Sequence, residues 1–234
     1  MRIETRMDRP AAQGASDPKT PPVEAVLLGE YACFTRPETK VERVSYPLPT
    51  PSAARGMLEA IYWKPEFRYR IRRIEILRPI AFVSLLRNEL TDTVPDPRRK
   101  RPRPIDIAER RTQRHTLALR NVAYRICADI EPRTDVPEPI ARFRDAFRRR
   151  VDKGRCFHRP ALGCREFAAD FLPPERYPGP LKPVPVDLPP ERMLFDIDYA
   201  ADPEENQPRF FVAHVRRGVL HVPAHLYDRP ERHP

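Results

Sequence analysis

Short apolar runs alternate with proline-rich breaks along this chain, and the spacing of the apolar positions differs from run to run. Residues 23–36, VEAVLLGEYACFTR, carry an unbroken apolar stretch that reads as a strand buried on both faces. Pro37, Pro47 and Pro49 punctuate the following loop, 37–49. The next run, 50–63, has helical spacing: Ala54, Met57, Leu58, Ile61 and Tyr62 fall on one stripe. Thr50 suits the N-cap, Pro51 suits the first helical position, and Pro65 stops the helix. Gly56 inside it costs up to ~1 kcal/mol against alanine, so close packing on a sheet is expected there.

Residues 67–77 alternate like a strand but slip phase at Arg72-Arg73, where a bulge would restore one apolar face. Further strands are expected at 79–90, 116–130 and 164–172. A second helix is expected at 137–154, with Ile140, Phe143, Phe147 and Val151 buried and Gly154 at its end. Three short strands close the chain at 193–199, 209–215 and 219–223, the last two joined by a tight turn at Arg216-Arg217-Gly218.

This order predicts an α+β protein: a ferredoxin-like N-terminal domain with its helices on one face, and a small antiparallel β-sheet C-terminal part. The expected organisation is a disordered leader over 1–22, the main domain over 23–172, a proline-rich linker over 173–190 and the appendage over 191–234. Inside the main domain, 91–115 contains four prolines and the run PRRKRPRP, and reads as a long, mobile, basic insertion.

Composition adds a partner class. The 234 residues carry a net charge of +10 and a pI near 9.8, with 40% hydrophobic residues, enough for a real core. Residues 64–125 hold 17 Lys/Arg against seven Asp/Glu, so this stretch alone carries +10. Such a concentrated basic footprint points to a polyanion, nucleic acid above all. Cys33, Cys127, Cys156 and Cys164 form no CxxC pair, and neither a secretory segment nor a membrane-length apolar run is visible. The expectation is a cytoplasmic protein with reduced thiols and no membrane partner.

Three constellations could carry chemistry. The stretch RRTQRHTLALR, Arg110 to Arg120, sets His115 among four arginines. Metal-free RNA cleavage needs a group that takes the 2′-OH proton, one that stabilises the phosphorane and one that protonates the leaving oxygen. A histidine with cationic neighbours is biased to the neutral base form, Arg114 can clamp a phosphate, and Tyr46 offers a hydroxyl. Residue types alone leave catalysis and plain electrostatic contact both open. Cys156, His158 and Cys164 give three possible zinc ligands but no evident fourth, so they read as structural residues around a turn. His221 and His225 are separated by Pro223, which spoils a helical metal pair. No phosphate loop, dinucleotide turn or two-metal carboxylate pair is present, so no metal or cofactor is implied. Tyr62 reads as core, while Trp63 is free to stack a base.

Several stretches together resemble one family. They are GEYACFTRPETKVERVSYPLPTPSAARGMLEAIYWKP (29–65), RRTQRHTLALRNVAYRICADI (110–130), HRPALGCREFAADF (158–171), MLFDIDY and PRFFVAHVRRGVLHVP. The family is the CRISPR-associated Cas-five family, in its subtype I-C (Dvulg) branch, and the resemblance covers nearly all of 23–223. It implies a RAMP-type (RRM-like, ferredoxin-like) domain that cuts precursor CRISPR RNA within the repeat without metal, leaving a 2′,3′-cyclic phosphate and a 5′-hydroxyl. It further implies that the protein stays on the 5′ handle and joins the backbone and large subunits of the surveillance complex. A non-catalytic subunit that only caps the handle is the alternative. The family's Tyr, Lys and His fall on Tyr46, Arg114 and His115. Arginine replaces the lysine, and arginine does not readily give up a proton. In this reading Arg98, Arg99, Lys100, Arg101 and Arg103 grip phosphates, with Arg43, Arg110, Arg111 and Arg120 as further RNA contacts. The glycine-rich loop common in such proteins is thin here, with Arg216-Arg217-Gly218 its nearest match.

Overall fold

The computed structural model describes residues 21–39, 41–91, 106–133, 139–199 and 206–228. Residues 1–20 of the expected leader 1–22 and the basic core of the insertion, 92–105, lie outside them. The elements, in chain order, are β1 (Val23–Ala32), β2 (Arg43–Val44), α1 (Pro51–Ile61), β3 (Phe67–Ile76), β4 (Phe82–Leu90), α2 (Ile107–Arg110) and β5 (Arg111–Pro132). They continue with α3 (Ile140–Asp152), β6 (Asp170–Leu172), β7 (Glu191–Asp198), β8 (Gln207–Ala213), β9 (Val215–Arg216) and β10 (Val219–His221). The protein is mixed α/β with a mostly antiparallel sheet.

The main sheet runs β6-β1-β5-β3-β10-β9, with β2 and β4 pairing β5 off this path. Among the described strands only β2 is parallel to its neighbour. The expected slip in β3 is real: Ile71 pairs Ala128 and Arg73 pairs Cys127, so Arg72 is the extra residue. The bulge puts Phe67, Tyr69, Ile71, Ile74 and Ile76 all into the core. Against them lie Phe143, Phe147 and Val151 of α3, as the helical stripe predicts. Phe67 and Phe143 meet at a tilt with ring centroids 5.1 Å apart, and Tyr69 meets Phe147 edge-on at 5.7 Å. Gly154, at φ +61, ends the helical segment.

Helix α1 begins as its sequence dictates. The Thr50 hydroxyl accepts from the Ala53 amide at 3.2 Å, and Pro51 fills the first turn. Ala54, Met57, Leu58 and Ile61 are buried. Gly56 corrects the expectation made for it. It is exposed, and a side chain added there meets nothing within 4 Å.

Several boundaries also move. A two-residue strand, β2, interrupts the expected loop 37–49, because it finds its partner only in β5. Residues 111–115, expected within the insertion, belong to β5, where β4 supplies their hydrogen bonds. Of the expected strand 164–172 only Asp170–Leu172 forms, because 161–168 turn back on themselves around the Ala161–Ala168 bridge. The last expected strand, now β10, leaves the C-terminal pair β7–β8 and joins β3 in the main sheet. The turn before it is the tight one expected, with Arg217 at φ +47 and Gly218 at φ +73. The proline-rich stretch 173–190 lies along this edge. The Val184 amide donates to the Ile76 carbonyl, and the Gly218 amide to the Val186 carbonyl. One core cluster accordingly joins Leu27, Tyr69 and Phe147 to Phe195, Phe211 and Leu220.

Because Gly56 faces open space in a helix, Gly56→Ala should stabilise the protein by about 1 kcal/mol. Chemical denaturation should show a higher midpoint at unchanged slope.

Candidate functional site

Strand β5 builds the site. Its C-terminal half lies between β1 and β3; beyond Asn121 β4 takes the place of β3, β1 and then β2 hold the other edge as far as Thr116, and 111–115 pair with β4 alone as a two-stranded arm. Asn121 sits at the junction with φ +53, a conformation asparagine tolerates better than most residues. Arg78 donates to its side-chain oxygen at 2.6 Å. The left-handed residue lets β5 change neighbours, from Leu77 bonded to Ala123 to Arg120 bonded to Ala81.

Alternation then sorts the arm's side chains. Arg111, Gln113, His115 and Leu117 point outward, with Leu86 directly across from His115. Leu86 is 54% exposed and Leu117 38%. Arg114 lies on the other face with Arg87 and Glu89 of β4. There Arg87 reaches Glu89 at 2.5 Å and also bonds Glu166, Arg114 reaches Glu89 at 3.5 Å, and Arg43 of β2 approaches Glu89 at 3.7 Å and Glu166 at 3.3 Å. Three arginines thus share two glutamates. Burial opposes ionisation of Glu166, yet its own backbone amide and Arg87 hold its carboxyl below the usual range.

The three residues singled out from the sequence stand apart. Tyr46 is 1% exposed. Its ring lies under the Arg36 guanidinium at 4.6 Å, and its hydroxyl donates to the Arg192 carbonyl at 3.3 Å. Burial, with Glu38 nearby, raises its pKa above the usual tyrosine value. His115 is exposed on the outer face of the arm, and its backbone N–H donates to Glu42 at 2.7 Å. Arg114 is on the inner face. No hydrogen bond or ion pair joins any two of the three among the described residues. Arg110, Arg111 and Arg120 are exposed, Arg43 belongs to the arginine–glutamate network, and Arg98, Arg99, Lys100, Arg101 and Arg103 lie outside the described residues. Trp63 is 48% exposed and Tyr62 is buried.

Sequence reasoning missed Arg87, Glu89 and Glu166 and gave Cys33 no role beyond a reduced thiol. The first two sit in a strand whose partner is unreadable from the chain, and Glu166 and Cys33 become neighbours only through tertiary folding. No three His, Cys, Asp or Glu side chains gather as a metal site among the described residues. Cys164 lies beside Cys33, 131 residues away, where the Cys164 thiol faces the Cys33 carbonyl at 3.7 Å. The turn at Arg217-Gly218 packs closely: a side chain at Gly218 would stand 2.1 Å from the Val184 carbonyl oxygen. No described helix is long and apolar enough to cross a membrane.

The fold and site define a mixed α/β protein that carries a hairpin arm and an arginine–glutamate cradle at its base. Two solved structures share the fold: a functionally uncharacterized protein from Streptococcus mutans, and a CRISPR-associated protein. The first has a TM-score of 0.60 at 19% identity, over 88% of this chain and 94% of that one; the second has 0.61 at 21%, over 88% and 93%. The family model described as CRISPR-associated protein (Cas_Cas5) matches residues 23–223, and the chain belongs to this family. Two relatives, from Thermus thermophilus and Mannheimia succiniciproducens, are each named CRISPR pre-crRNA endoribonuclease Cas5d. The first is 45% identical over 86% of this chain and 91% of its own length, the second 40% over 88% and 96%.

Burial raises the pKa of Tyr46, Tyr69, Tyr124 and Tyr227 in the folded state. A raised folded-state value contributes stability that is complete below the unfolded value near 10 and is lost as pH climbs through the folded one. The denaturant midpoint should therefore hold between pH 8 and 9 and fall above pH ~10. Tyr46→Phe should weaken that fall, while losing about 1 kcal/mol at pH 8 with the Arg192 hydrogen bond.

Proposed function

We propose that this chain is a CRISPR RNA endoribonuclease that cuts precursor transcripts within the repeat, without metal, and remains on the 5′ handle as a subunit of the subtype I-C surveillance complex. The observation that carries the reading is the exposed His115 on a fixed strand, between Arg111 and Arg120, in a chain 45% identical to a named pre-crRNA endoribonuclease.

The roles follow from environment. A buried tyrosine with a raised pKa stays protonated at neutral pH, so Tyr46 is the group that donates or positions. That leaves His115 as the general base for the 2′-OH. Reaching RNA requires the Tyr46 hydroxyl to exchange the Arg192 carbonyl for an RNA oxygen. The His115 backbone N–H, held by the exposed Glu42 carboxylate, is a ready donor for a phosphate that displaces it. Arg114 stabilises the phosphorane after it leaves Glu89. The acidic side chains keep these donors engaged until a stronger anion arrives.

The sheet order β6-β1-β5-β3, with α1 and α3 around it, supports a ferredoxin-like core over 23–172. The stretch 173–190 would be the connection and 191–234 the appendage, behind a leader over 1–22. The RNA grip extends to Arg43, Arg110, Arg111, Arg120 and the basic run 98–103. The partners are precursor CRISPR RNA, its mature 5′ handle and the backbone and large subunits of the complex, in a prokaryotic cytoplasm.

A second reading is a cap that binds the handle without cutting. It is favoured by Arg114 and His115 standing on opposite faces and by the buried Tyr46.

Labelled repeat RNA in EDTA separates the two. A single cut that a 2′-deoxy substitution at the cleaved position abolishes supports the enzyme. Tight binding with no cut supports the cap. His115→Ala should lower the single-turnover rate by about 10²-fold or more with little change in Kd. Glu42→Gln should tighten binding. Neutralising 98–103 should weaken it and flatten its salt dependence.

A further inference from the structure

The described chain holds a second constellation, centred on two cysteines that the RNA chemistry does not use. Cys33 follows β1 and is buried, while Cys164 lies in the 161–168 turn and is half-buried. The backbones are pressed together. The Cys33 amide donates to the Leu162 carbonyl at 2.9 Å, and Gly163, at φ +88, leaves no room for a side chain, which would stand 2.0 Å from the Cys33 oxygen. Thr35 touches both sulfurs, its hydroxyl 3.6 Å from Cys33 Sγ and 3.9 Å from Cys164 Sγ. Arg43 of β2 donates to Cys164 Sγ at 3.7 Å.

This is a built environment for one reactive sulfur and one reserve sulfur. The groups facing Cys164 are Cys33 and Thr35 beyond β1, Arg43 on β2 and Glu166 on its own turn; Arg87 of β4 reaches the turn through Glu166. The Cys33 side chain beside it, with Thr35 and Arg43, outweighs burial and Glu166. The Cys164 thiol is thereby lowered to about 6, while the same contact and burial push Cys33 up.

We propose that Cys164 and Cys33 form a peroxide-reactive dithiol site, with Cys164 as the attacking sulfur and Cys33 as the resolving one. In the first step the Cys164 thiolate attacks one oxygen of hydrogen peroxide. A sulfur–oxygen bond forms, the oxygen–oxygen bond breaks, and the departing hydroxide takes a proton to become water. Sulfur is oxidised by two electrons to the sulfenic acid as the peroxide is reduced. In the second step Cys33 attacks the Cys164 sulfur. The sulfur–sulfur bond forms, the sulfur–oxygen bond breaks, and the hydroxyl leaves with the Cys33 proton as water. The disulfide ties the end of β1 to the 161–168 turn and removes the sulfur charge beside Arg43. A small dithiol reverses it. Buried Cys127 takes no part.

The test uses the full chain, reduced and then freed of reductant. Site-resolved alkylation by iodoacetamide, read by peptide mass spectrometry, should reach half its maximal rate at Cys164 at a lower pH than at an ordinary thiol. At pH 7 it should run about tenfold faster there than at Cys156. Hydrogen peroxide should give an intramolecular Cys33–Cys164 peptide that dithiothreitol removes. Cys33→Ser should leave Cys164 as a sulfenic acid trapped by dimedone, and Cys164→Ser should abolish both products. Should a variant fail to fold, the wild-type cross-link and alkylation profile decide alone. Cys164 reacting no faster than Cys156, or peroxide linking a different or intermolecular pair, overturns the proposal.

Discussion

One strand holds the molecule together. Over 22 residues, β5 supplies hydrogen bonds to β1, β3, β4 and β2, so four of the other seven strands of the sheet are registered directly against it. A strand of that length spans about 70 Å, far more than a compact sheet can cover. It serves two structures in succession, and Asn121 is where one becomes the other. Its C-terminal half is sandwiched and apolar: Val122, Tyr124, Ile126 and Ala128 are all buried. The first residues, 111–116, have only β4, the start of β2 and solvent, and there the sequence turns to arginine, glutamine, histidine and threonine.

Charge is managed differently in the two halves. Inside the sheet the buried Glu75 is paired on both oxygens, by Arg73 at 2.7 Å and by Arg125 at 2.7 Å, which is how a carboxylate survives away from water. On the arm the arginines outnumber their glutamates and stay partly exposed. Exposed pairs of this kind contribute little to stability, typically under ~1 kcal/mol each. The same neighbourhood contains the Cys33–Cys164 contact, linked to the cradle through Arg43.

Much of this was legible in the chain wherever the cause is local. The Thr50 cap and Pro51, the slip at Arg72, the α3 stripe of Phe143, Phe147 and Val151, and the tight turn before Val219 each follow from a few neighbouring residues. Expectations failed where a distant partner decides. Residues 111–115 looked like insertion because nothing near them reveals that β4 will pair with them. Residues 164–169 looked like strand because the turn that bends them is held by Ala161 and by Cys33. Gly56 seemed to need a packed sheet, and it faces open space.

The sequence by itself determined the elements, the basic footprint of 64–125 and the family resemblance, because propensity, periodicity and charge are written residue by residue. Tertiary structure alone decided what the candidate residues do to one another. It buried the Tyr46 hydroxyl against Arg192 and raised its pKa. By strand alternation it set Arg114 and His115 on opposite faces of one arm. It also brought together two cysteines 131 positions apart. Pairing, alternation about a particular sheet and desolvation are properties of the folded neighbourhood, and no short stretch of chain contains them.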